Sequence, residues 1–325
     1  MEKIFKFICC CILLCGCQKK VDNIPELSDY YLSLTKSSEK GNKVYFQNVS
    51  FDFENMNTIE SKNIERDSQY PLLVFDKENN KYLYSAKTEE GDDHLYIYDV
   101  GEENETHIDL DIWGINYILI RENDYIIVAV KNETEVLSLF SIDKETYSFK
   151  EIEIPKDIHE DMSVWQVAYI PQNDGLILQT YSIEEEYKIR DEWNSQEHDY
   201  TEDMKVPYYH YLLTDEGFEF LFELKMPQSD GILSNGKDVL VEVFYENDNE
   251  KHVIRYNIEN ESMEKEKYAK SLKLGFYLDN EGRYVYAIGN NIHKYDTFTG
   301  KDEILNIEFP YEGFNSNYVL VNKSK

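Results

Sequence analysis

The stretch LDNEGRYVYAIGNNIHKYDTFTGK, residues 278–301, decides the fold. It contains a polar turn (DNEGR, 279–283), a strand rich in aromatic and aliphatic residues (YVYAI, 284–288), a short loop, and a second strand that ends at a turn beginning with Asp296. An aspartate at the start of a turn accepts hydrogen bonds from backbone amides two residues further on, which is why it favours that position. The stretch therefore predicts a pair of antiparallel strands with a tight turn at each end.

The same pattern recurs along the chain. Turns that begin with Asp or Asn after an apolar strand lie at Asp52, Asp99, Asp143, Asp215, Asn257 and Asp296. A second series of polar turns, each followed by an apolar strand, alternates with the first: DKENNK (76–81), RENDY (121–125), PQNDG (171–175), NGKD (235–238) and DNEGR (279–283). The repeating unit is therefore strand a, turn, strand b, loop, strand c, Asp turn and strand d, over roughly 40–50 residues.

A four-stranded unit of this length, repeated about six times, is typical of a β-propeller. The 27 tyrosines and 16 phenylalanines agree with this fold, because aromatic residues favour strands. The N-terminus supplies a c–d pair (KVYFQNVSFDF, then TIESKNI), and the C-terminus supplies a final strand or two ending at Val321. We predict an all-β fold, a six-bladed propeller whose ring is closed by N- and C-terminal strands in one shared blade. Seven blades are the alternative if residues 182–208 contain further strands.

The opening stretch and FDKENNKYLYSAKTEEGDDHLYIYDV (75–100) resemble the repeats of TolB-type six-bladed propellers, which have the same order of polar turn, strand, loop, strand and Asp turn. The resemblance covers residues 43–325 at the level of repeats. It implies the six-bladed fold but no activity, because such repeats occur in binding proteins, protease caps and enzymes.

The N-terminus carries a separate signal. Lysines precede an unbroken apolar run at residues 7–14, which is too short to cross a bilayer and is typical of an export signal. All five cysteines lie within residues 9–17, and Leu14-Cys15-Gly16-Cys17 resembles the bacterial lipobox. That resemblance implies that residues 1–16 are removed as a signal peptide and that Cys17 carries a diacylglyceryl group and a fatty acid such as palmitate. A buried N-terminal helix is the alternative.

We predict a lipidated N-terminus and flexible tether over residues 17–42 and a propeller domain over residues 43–325. The helical spacing of four tether residues indicates a helical turn or two: Leu27, Tyr30, Tyr31 and Leu34. The formal net charge of −31 argues against nucleic acid as a partner and, apart from the lipid anchor, against anionic membranes. We expect a monomer on the extracytoplasmic face of a bacterial cell membrane.

The spacing between the turn residues Asp143 and Asp215 is much longer than that between the other successive turn residues. The cause is an insert at about residues 183–206, between strands b and c. The b–c and d–a loops of a propeller share the face around the channel mouth, so we expect the insert to form a lid over a binding site. A surface elaboration without function is the alternative. Within the insert we predict a helix from Glu184 to Trp193. The binding candidates are insert residues and d–a junction residues: Trp113, Trp165, Gln166, Tyr187, Arg190, Trp193, His198 and Tyr200.

Motifs for catalysis are absent from the sequence. The seven histidines are scattered, without an HExxH frame, a GxSxG elbow or a phosphate-binding glycine loop. Some six-bladed propellers are calcium-dependent lactonases, and Gln69, Asn116, Gln166 and Asp230 approach the corresponding mouth here, but only one of them is charged. We therefore predict no catalytic residue, metal or cofactor, and a binding or scaffold protein for a protein, peptide or glycan. A metal-assisted hydrolase or lactonase is the alternative, which three or more acidic or amide side chains converging at the mouth would favour.

Overall fold

A computed structural model provides the structure of the chain. It describes residues 25–40, 43–65, 71–87, 93–132, 134, 136–195, 204–245, 250–267, 270–273, 275–305 and 314–323. These residues form 24 strands in six four-stranded antiparallel sheets, with one α-helix and one short 3-10 helix, Leu27–Asp29. The prediction of an all-β protein is confirmed.

The strands follow one another blade by blade. The N-terminal strands are β1 (Tyr30–Lys40), β2 (Lys43–Asp52) and β3 (Asn57–Glu65). Blade 1 contains β4 (Leu73–Asp76), β5 (Lys81–Lys87), β6 (Asp93–Asp99) and β7 (Asn104–Ile108). Blade 2 contains β8 (Ile112–Ile120), β9 (Asp124–Lys131), β10 (Leu137–Asp143) and β11 (Phe149–Ile152). Blade 3 contains β12 (Met162–Ile170), β13 (Gly175–Ser182), β14 (Val206–Thr214) and β15 (Gly217–Met226), with helix α1 (Ile183–Ser195) between β13 and β14.

The remaining strands complete the ring. Blade 4 contains β16 (Gln228–Ser234), β17 (Asp238–Tyr245), β18 (Glu250–Asn257) and β19 (Ser262–Lys265). Blade 5 contains β20 (Gly275–Leu278), β21 (Tyr284–Ile288), β22 (Ile292–Asp296) and β23 (Asp302–Leu305). The last strand is β24 (Phe314–Asn322). In blades 1 to 5 the first strand is innermost, and innermost strands of successive blades contact each other, as β12 contacts β16 and β16 contacts β20. The protein is therefore a six-bladed β-propeller, as predicted.

The sixth blade is assembled from both ends of the chain. Its strand order is β24-β1-β2-β3, and β24 pairs antiparallel with β1, so that Tyr31 lies opposite Val321 and Leu34 opposite Tyr318. The C-terminus thus supplies the innermost strand and the N-terminus the other three. The prediction of one shared blade is confirmed, and this arrangement leaves no open seam between the first and last blades.

The predicted boundary between tether and propeller is wrong. Residues 27–40, which we assigned to the tether, form the 3-10 helix and β1. All of residues 30–35 (YYLSLT) are buried, because β24 and β2 cover the edges of β1 and packing in the core and against β4 of blade 1 covers its faces. A strand buried on both faces has a continuous run of buried residues instead of an alternating pattern, and that run also contains pairs at helical spacing.

Burial decreases from the second strand of a blade to the fourth. In β9, Ile126, Ile127, Val128 and Ala129 are all fully buried. In β19 all four residues are exposed, and in β11 three of the four are exposed. The core therefore lies between blades around their inner strands, and the sequence of the outer strands is correspondingly polar.

The Asp turns are formed as predicted, with one exception. Asp99 Oδ1 accepts hydrogen bonds from the amides of Gly101 and Glu102, and the turns at positions 52, 143, 257 and 296 have equivalent bonds. In blade 3 the hairpin is shorter, and Thr214 takes this position. Asp215 instead forms an ion pair with Arg121 of blade 2, at 2.8 Å.

Candidate functional site

One end of the central channel is closed by residues that cross it. The hydroxyl of Tyr30, in blade 6, donates to the carbonyl oxygen of Pro171, in the a–b turn of blade 3, at 2.7 Å. Gln172 Nε2, in the same turn, donates to the carbonyl oxygen of Leu278 in blade 5 at 2.9 Å. Asn280 Nδ2 donates to the carbonyl oxygen of Pro25 at 3.1 Å, which holds the N-terminal segment at this end. We call this the closed end of the channel.

The opposite end, where the d–a and b–c loops lie, contains a cavity of about 420 Å³. We call this end the open end and the cavity the pocket. Its lining residues come from the innermost strands β8, β12, β16, β20 and β24 and from the segment just before β20. The volume lies within the range typical of small-molecule sites, which are concave and mostly apolar with a few polar groups. The pocket is therefore the candidate binding site.

Each of these five innermost strands carries a β-bulge, at which one residue has no partner in the neighbouring strand's register. The bulged positions are Trp113 and Asn116 in β8, Trp165 in β12, Asp230 in β16, Phe276 in β20 and Ser316 in β24. A bulge inserts one residue and changes the direction of the side chains around it, and bulges are common beside active sites. The bulged residues Trp165, Asp230 and Phe276 all line the pocket.

Trp165 and Gln166 form one wall of the pocket. Trp165 Nε1 and Gln166 Nε2 both donate to the carbonyl oxygen of Ser229, at 3.1 Å and 2.9 Å. These two bonds join blade 3 to blade 4 and fix the indole ring at the pocket surface. Aromatic rings of Tyr117, Phe276 and Tyr318 also line the cavity. Trp165 is thus placed both to pack between blades and to contact a ligand.

The charged groups at the pocket are largely paired. Asp230 lies 3.3 Å from Lys251 Nζ and accepts a hydrogen bond from Gln228 Nε2 at 3.2 Å. Lys251 also lies 2.7 Å from Glu242, which is fully buried, and the hydrogen bond to Glu242 raises the pKa of Lys251. Lys273 is exposed at the mouth of the pocket. The pocket therefore lacks the strong negative charge of the chain as a whole.

The tyrosines of the pocket are neutral. Burial raises the pKa of Tyr117 and that of Tyr318, so both hydroxyls stay protonated at neutral pH. The Tyr318 hydroxyl donates to the carbonyl oxygen of Lys273 at 2.9 Å and so ties β24 to the segment before β20. The phenol rings therefore offer uncharged aromatic surface.

Two buried polar groups of the pocket have no hydrogen-bond partner among the described residues. They are Ser229 Oγ and Asn317 Nδ2, and their residues are only 2% and 5% exposed. Leaving a buried polar group unpaired costs about 1–3 kcal/mol, so native proteins pair nearly all such groups. Both atoms are sealed from solvent, so they lie behind the wall of the pocket, and a ligand in the cavity does not reach them.

The structure brings together only some of the candidates chosen from sequence. Trp165 and Gln166 line the pocket. Trp113 is 43% exposed at the start of β8 and does not belong to the pocket lining. His198 and Tyr200 lie outside the described residues. Sequence analysis missed most of the lining, including Tyr117, Ser229, Phe276, Asn317 and Tyr318.

The insert forms a helix where we predicted one. Helix α1 begins with Ser182 Oγ accepting from the amide of Glu185, at 3.1 Å. Ile189 packs against a cluster of buried residues that includes Tyr208. Tyr187 is 58% exposed, and Trp193 is partly buried. Arg190 pairs with Glu186 one turn earlier in the helix.

Helix α1 lies beside the pocket and not within it. None of its residues lines the cavity, and neither do residues 204–206, the other described part of the insert. Its contacts with β13 and β14 bring it next to an aromatic cluster in which Trp165, Tyr181 and Tyr208 have ring centroids 5.8–6.2 Å apart. Trp165 therefore belongs to both the pocket wall and the cluster next to the helix.

The described residues contain no group of three or more His, Cys, Asp or Glu side chains that could hold a metal ion. Of the four residues considered for calcium, Gln166 and Asp230 line the pocket, Asn116 lies outside its lining, and Gln69 is not among the described residues. Within the described ranges, no helix is long and apolar enough to cross a membrane. The predicted signal peptide and Cys17 precede the first described residue.

Comparison with known proteins supports the fold. No protein-family model matches this chain, and no curated protein matches it. The structure is similar to that of TolB from Acinetobacter baumannii, with a TM-score of 0.51, 11% sequence identity, and coverage of 92% of this chain and 68% of TolB. It is also similar to the β-propeller domain of the Trilobed protease from Pyrococcus furiosus, described as having an open velcro topology, with a TM-score of 0.51, 13% identity, and coverage of 84% and 80%. At these identities the likeness concerns the fold alone: the chain has a TolB-like propeller fold.

Proposed function

We propose that this protein is a membrane-anchored, extracytoplasmic binding protein that captures a protein, peptide or glycan through the pocket at the open end of its propeller. The observation that carries the proposal is the concave cavity at the open end, with aromatic walls in which Trp165 and Gln166 are held by hydrogen bonds to Ser229. A small number of placed polar groups among apolar ones is typical of ligand pockets.

The position of the N-terminal segment supports a particular orientation at the membrane. Pro25 lies at the closed end of the channel, held by Asn280. If Cys17 carries the lipid, the eight residues from there to Pro25 span at most roughly 28 Å when fully extended. The closed end then lies near the membrane, and the pocket opens away from it towards ligands in the surrounding space.

The charges of the pocket favour binding over hydrolysis. A hydrolase needs an acid or base that is free to exchange a proton with the substrate. The carboxylate that lines the pocket, Asp230, is already paired with Lys251 and Gln228. The pocket is thus better suited to hold a ligand than to transform it.

Tryptophan fluorescence provides a direct test. The chain has three tryptophans, so Trp113→Phe with Trp193→Phe leaves Trp165 as the single reporter in the pocket wall. The full chain in lipid vesicles is titrated with size-separated protein, peptide and glycan fractions of a bacterial cell envelope. We expect a saturable change in Trp165 emission with at least one fraction.

A matched reporter shows whether the signal comes from the pocket. In Trp165→Phe with Trp193→Phe, the remaining tryptophan is Trp113, which is exposed outside the pocket lining. The same fraction is expected to leave its emission unchanged. The proposal is wrong if no fraction changes the emission of Trp165, or if every change is equal for both reporters.

A further inference from the structure

We propose that the pocket receives the terminal sugar ring of an uncharged glycan. This inference names the ligand class of the binding function proposed above and rests on it. Its basis is the combination of a channel closed at one end, aromatic walls and paired charges.

The closed end requires the ligand to enter end first. Tyr30 and Pro171 join opposite blades across the channel, and Gln172 reaches from blade 3 to Leu278 of blade 5. An extended chain therefore cannot pass through the ring. The cavity of about 420 Å³ accommodates the end of a chain or a compact ring.

The aromatic walls suit a ring with apolar faces. Trp165 and Phe276 are bulged residues of the wall, and Tyr117 and Tyr318 add two neutral phenols. A sugar ring has faces of C–H bonds, which pack on the negatively polarised face of an aromatic ring. Its hydroxyl groups point outwards from the edge of the ring, away from those faces.

The polar side chains in the wall are held by bonds within the protein. The indole N–H of Trp165 and the side-chain amide of Gln166 already donate to the carbonyl oxygen of Ser229 and hold the wall in place.

The charges favour an uncharged sugar. Asp230 is paired with Lys251, and Lys251 is shared with the buried Glu242, so neither carboxylate offers an unpaired charge to the ligand. Lys273, at the mouth, is an exposed side chain in a protein whose formal net charge is −31. The field of the whole chain repels uronic acids and sugar phosphates.

The test uses defined probes and the full chain. Isothermal titration is carried out with N-acetylglucosamine, glucose and maltotriose as uncharged sugars, glucuronic acid as an anionic sugar, and N-acetyl-trialanine amide as an uncharged peptide. We expect saturable binding of at least one uncharged sugar and much weaker binding of the acid and the peptide. Trp165→Ala should weaken that binding by more than about tenfold, as loss of a central aromatic contact does.

Stability measurements separate binding from folding. Because Trp165→Phe keeps an aromatic ring in the wall, it should bind more tightly than Trp165→Ala, and the melting temperature of each variant shows whether it is folded. Asn104→Ala, a surface change in blade 1 where Asn104 bonds Glu102, serves as the matched control and should bind as the parent does.

Each outcome has a distinct meaning. Tighter binding of glucuronic acid or of the peptide would overturn the ligand class. If no sugar binds in the titration but an envelope fraction still changes Trp165 emission, the ligand class is also wrong, but the binding function stands. If no sugar binds and no envelope fraction changes Trp165 emission, the binding function itself is wrong.

Discussion

The hydroxyl of Tyr30 and the carbonyl oxygen of Pro171 lie 2.7 Å apart and connect opposite blades of the ring. Blade 6 contributes the tyrosine and blade 3 the a–b turn, so the hydrogen bond spans the channel at its closed end. Burial raises the pKa of Tyr30, so its hydroxyl remains a donor at neutral pH. This bond makes the channel a pocket with one entrance, and it also links segments that are far apart in sequence.

Removing that hydroxyl should destabilise the ring. Tyr30→Phe leaves the aromatic ring in place and deprives the carbonyl oxygen of Pro171 of this donor, which should cost about 1–3 kcal/mol in the free energy of unfolding. Urea denaturation measures the change. Tyr187→Phe, at a residue that is 58% exposed, should change stability by less than about 0.5 kcal/mol. Equal effects of the two substitutions would show that the cross-channel bond does not stabilise the fold.

Closure of the ring by the C-terminal strand should be essential for stability. Deleting residues 314–325 removes β24, the innermost strand of blade 6, and with it the whole pairing to β1. Against a net stability of only about 5–15 kcal/mol, we expect the domain to lose cooperative unfolding or to melt at a much lower temperature.

A point substitution tests the same strand more gently. Leu320, which is 2% exposed, packs in the main core cluster, so Leu320→Ala should cost about 2–5 kcal/mol. Differential scanning calorimetry follows both variants. If the truncated chain melted at the temperature of the parent, the shared blade would not hold the ring closed.

Acid should weaken the fold partly through Asp296. The hydrogen bond from Arg283 holds the pKa of Asp296 well below its usual range. A depressed pKa in the folded state stabilises folding above the ordinary aspartate pKa near 3.9, and this contribution is lost as the pH falls from that value towards the lower pKa of the folded state. Asp296→Asn should therefore reduce the dependence of the melting temperature on pH between about pH 5 and pH 2.

The control for the acid effect is another turn of the same type. Asp99 accepts the amides of Gly101 and Glu102 as Asp296 accepts those of Phe298 and Thr299. The variant Asp99→Asn therefore measures the effect of changing the turn aspartate at a turn where the described residues provide no counterpart of the Arg283 bond. An identical pH dependence for Asp296→Asn and the parent chain would refute the role of the Arg283 pair.

The lipid anchor can be tested at a single residue. If the proposed lipid anchor is present, Cys17→Ser should leave an uncleaved precursor that incorporates no labelled fatty acid, because the resemblance to the lipobox places the modification on Cys17. Metabolic labelling and electrophoresis of the membrane fraction measure both effects. Labelled, cleaved protein in the variant would rule out Cys17 as the anchor.

The fold was predictable because its repeat is marked by turns that depend on residues close together in the sequence. The Asp turns at positions such as Asp99 and Asp296 depend only on side chains near them in sequence, and those turns mark every blade but the third. The start of the propeller was not predictable in the same way. Residues 30–35 are buried because β24, almost 300 residues away, pairs with them, and no local pattern reveals that partner.

The pocket was only partly predictable for a related reason. Trp165 and Gln166 could be placed near the mouth from their position at a d–a junction. Phe276 and Asn317 could not, because a β-bulge is a shift in register between two strands, and the sequence of one strand does not specify where its partner skips a residue.

The most direct test of the account compares the pocket with the insert. The dissociation constant of the envelope fraction that changes Trp165 emission is measured by isothermal titration for the parent chain, Trp165→Ala and Tyr187→Ala. Trp165 lines the pocket and Tyr187 is exposed on helix α1 outside it. We predict that Trp165→Ala weakens binding by more than about tenfold, as loss of a central aromatic contact does, and that Tyr187→Ala leaves it unchanged. Strong loss of binding in Tyr187→Ala with none in Trp165→Ala would contradict the account and place recognition on the insert.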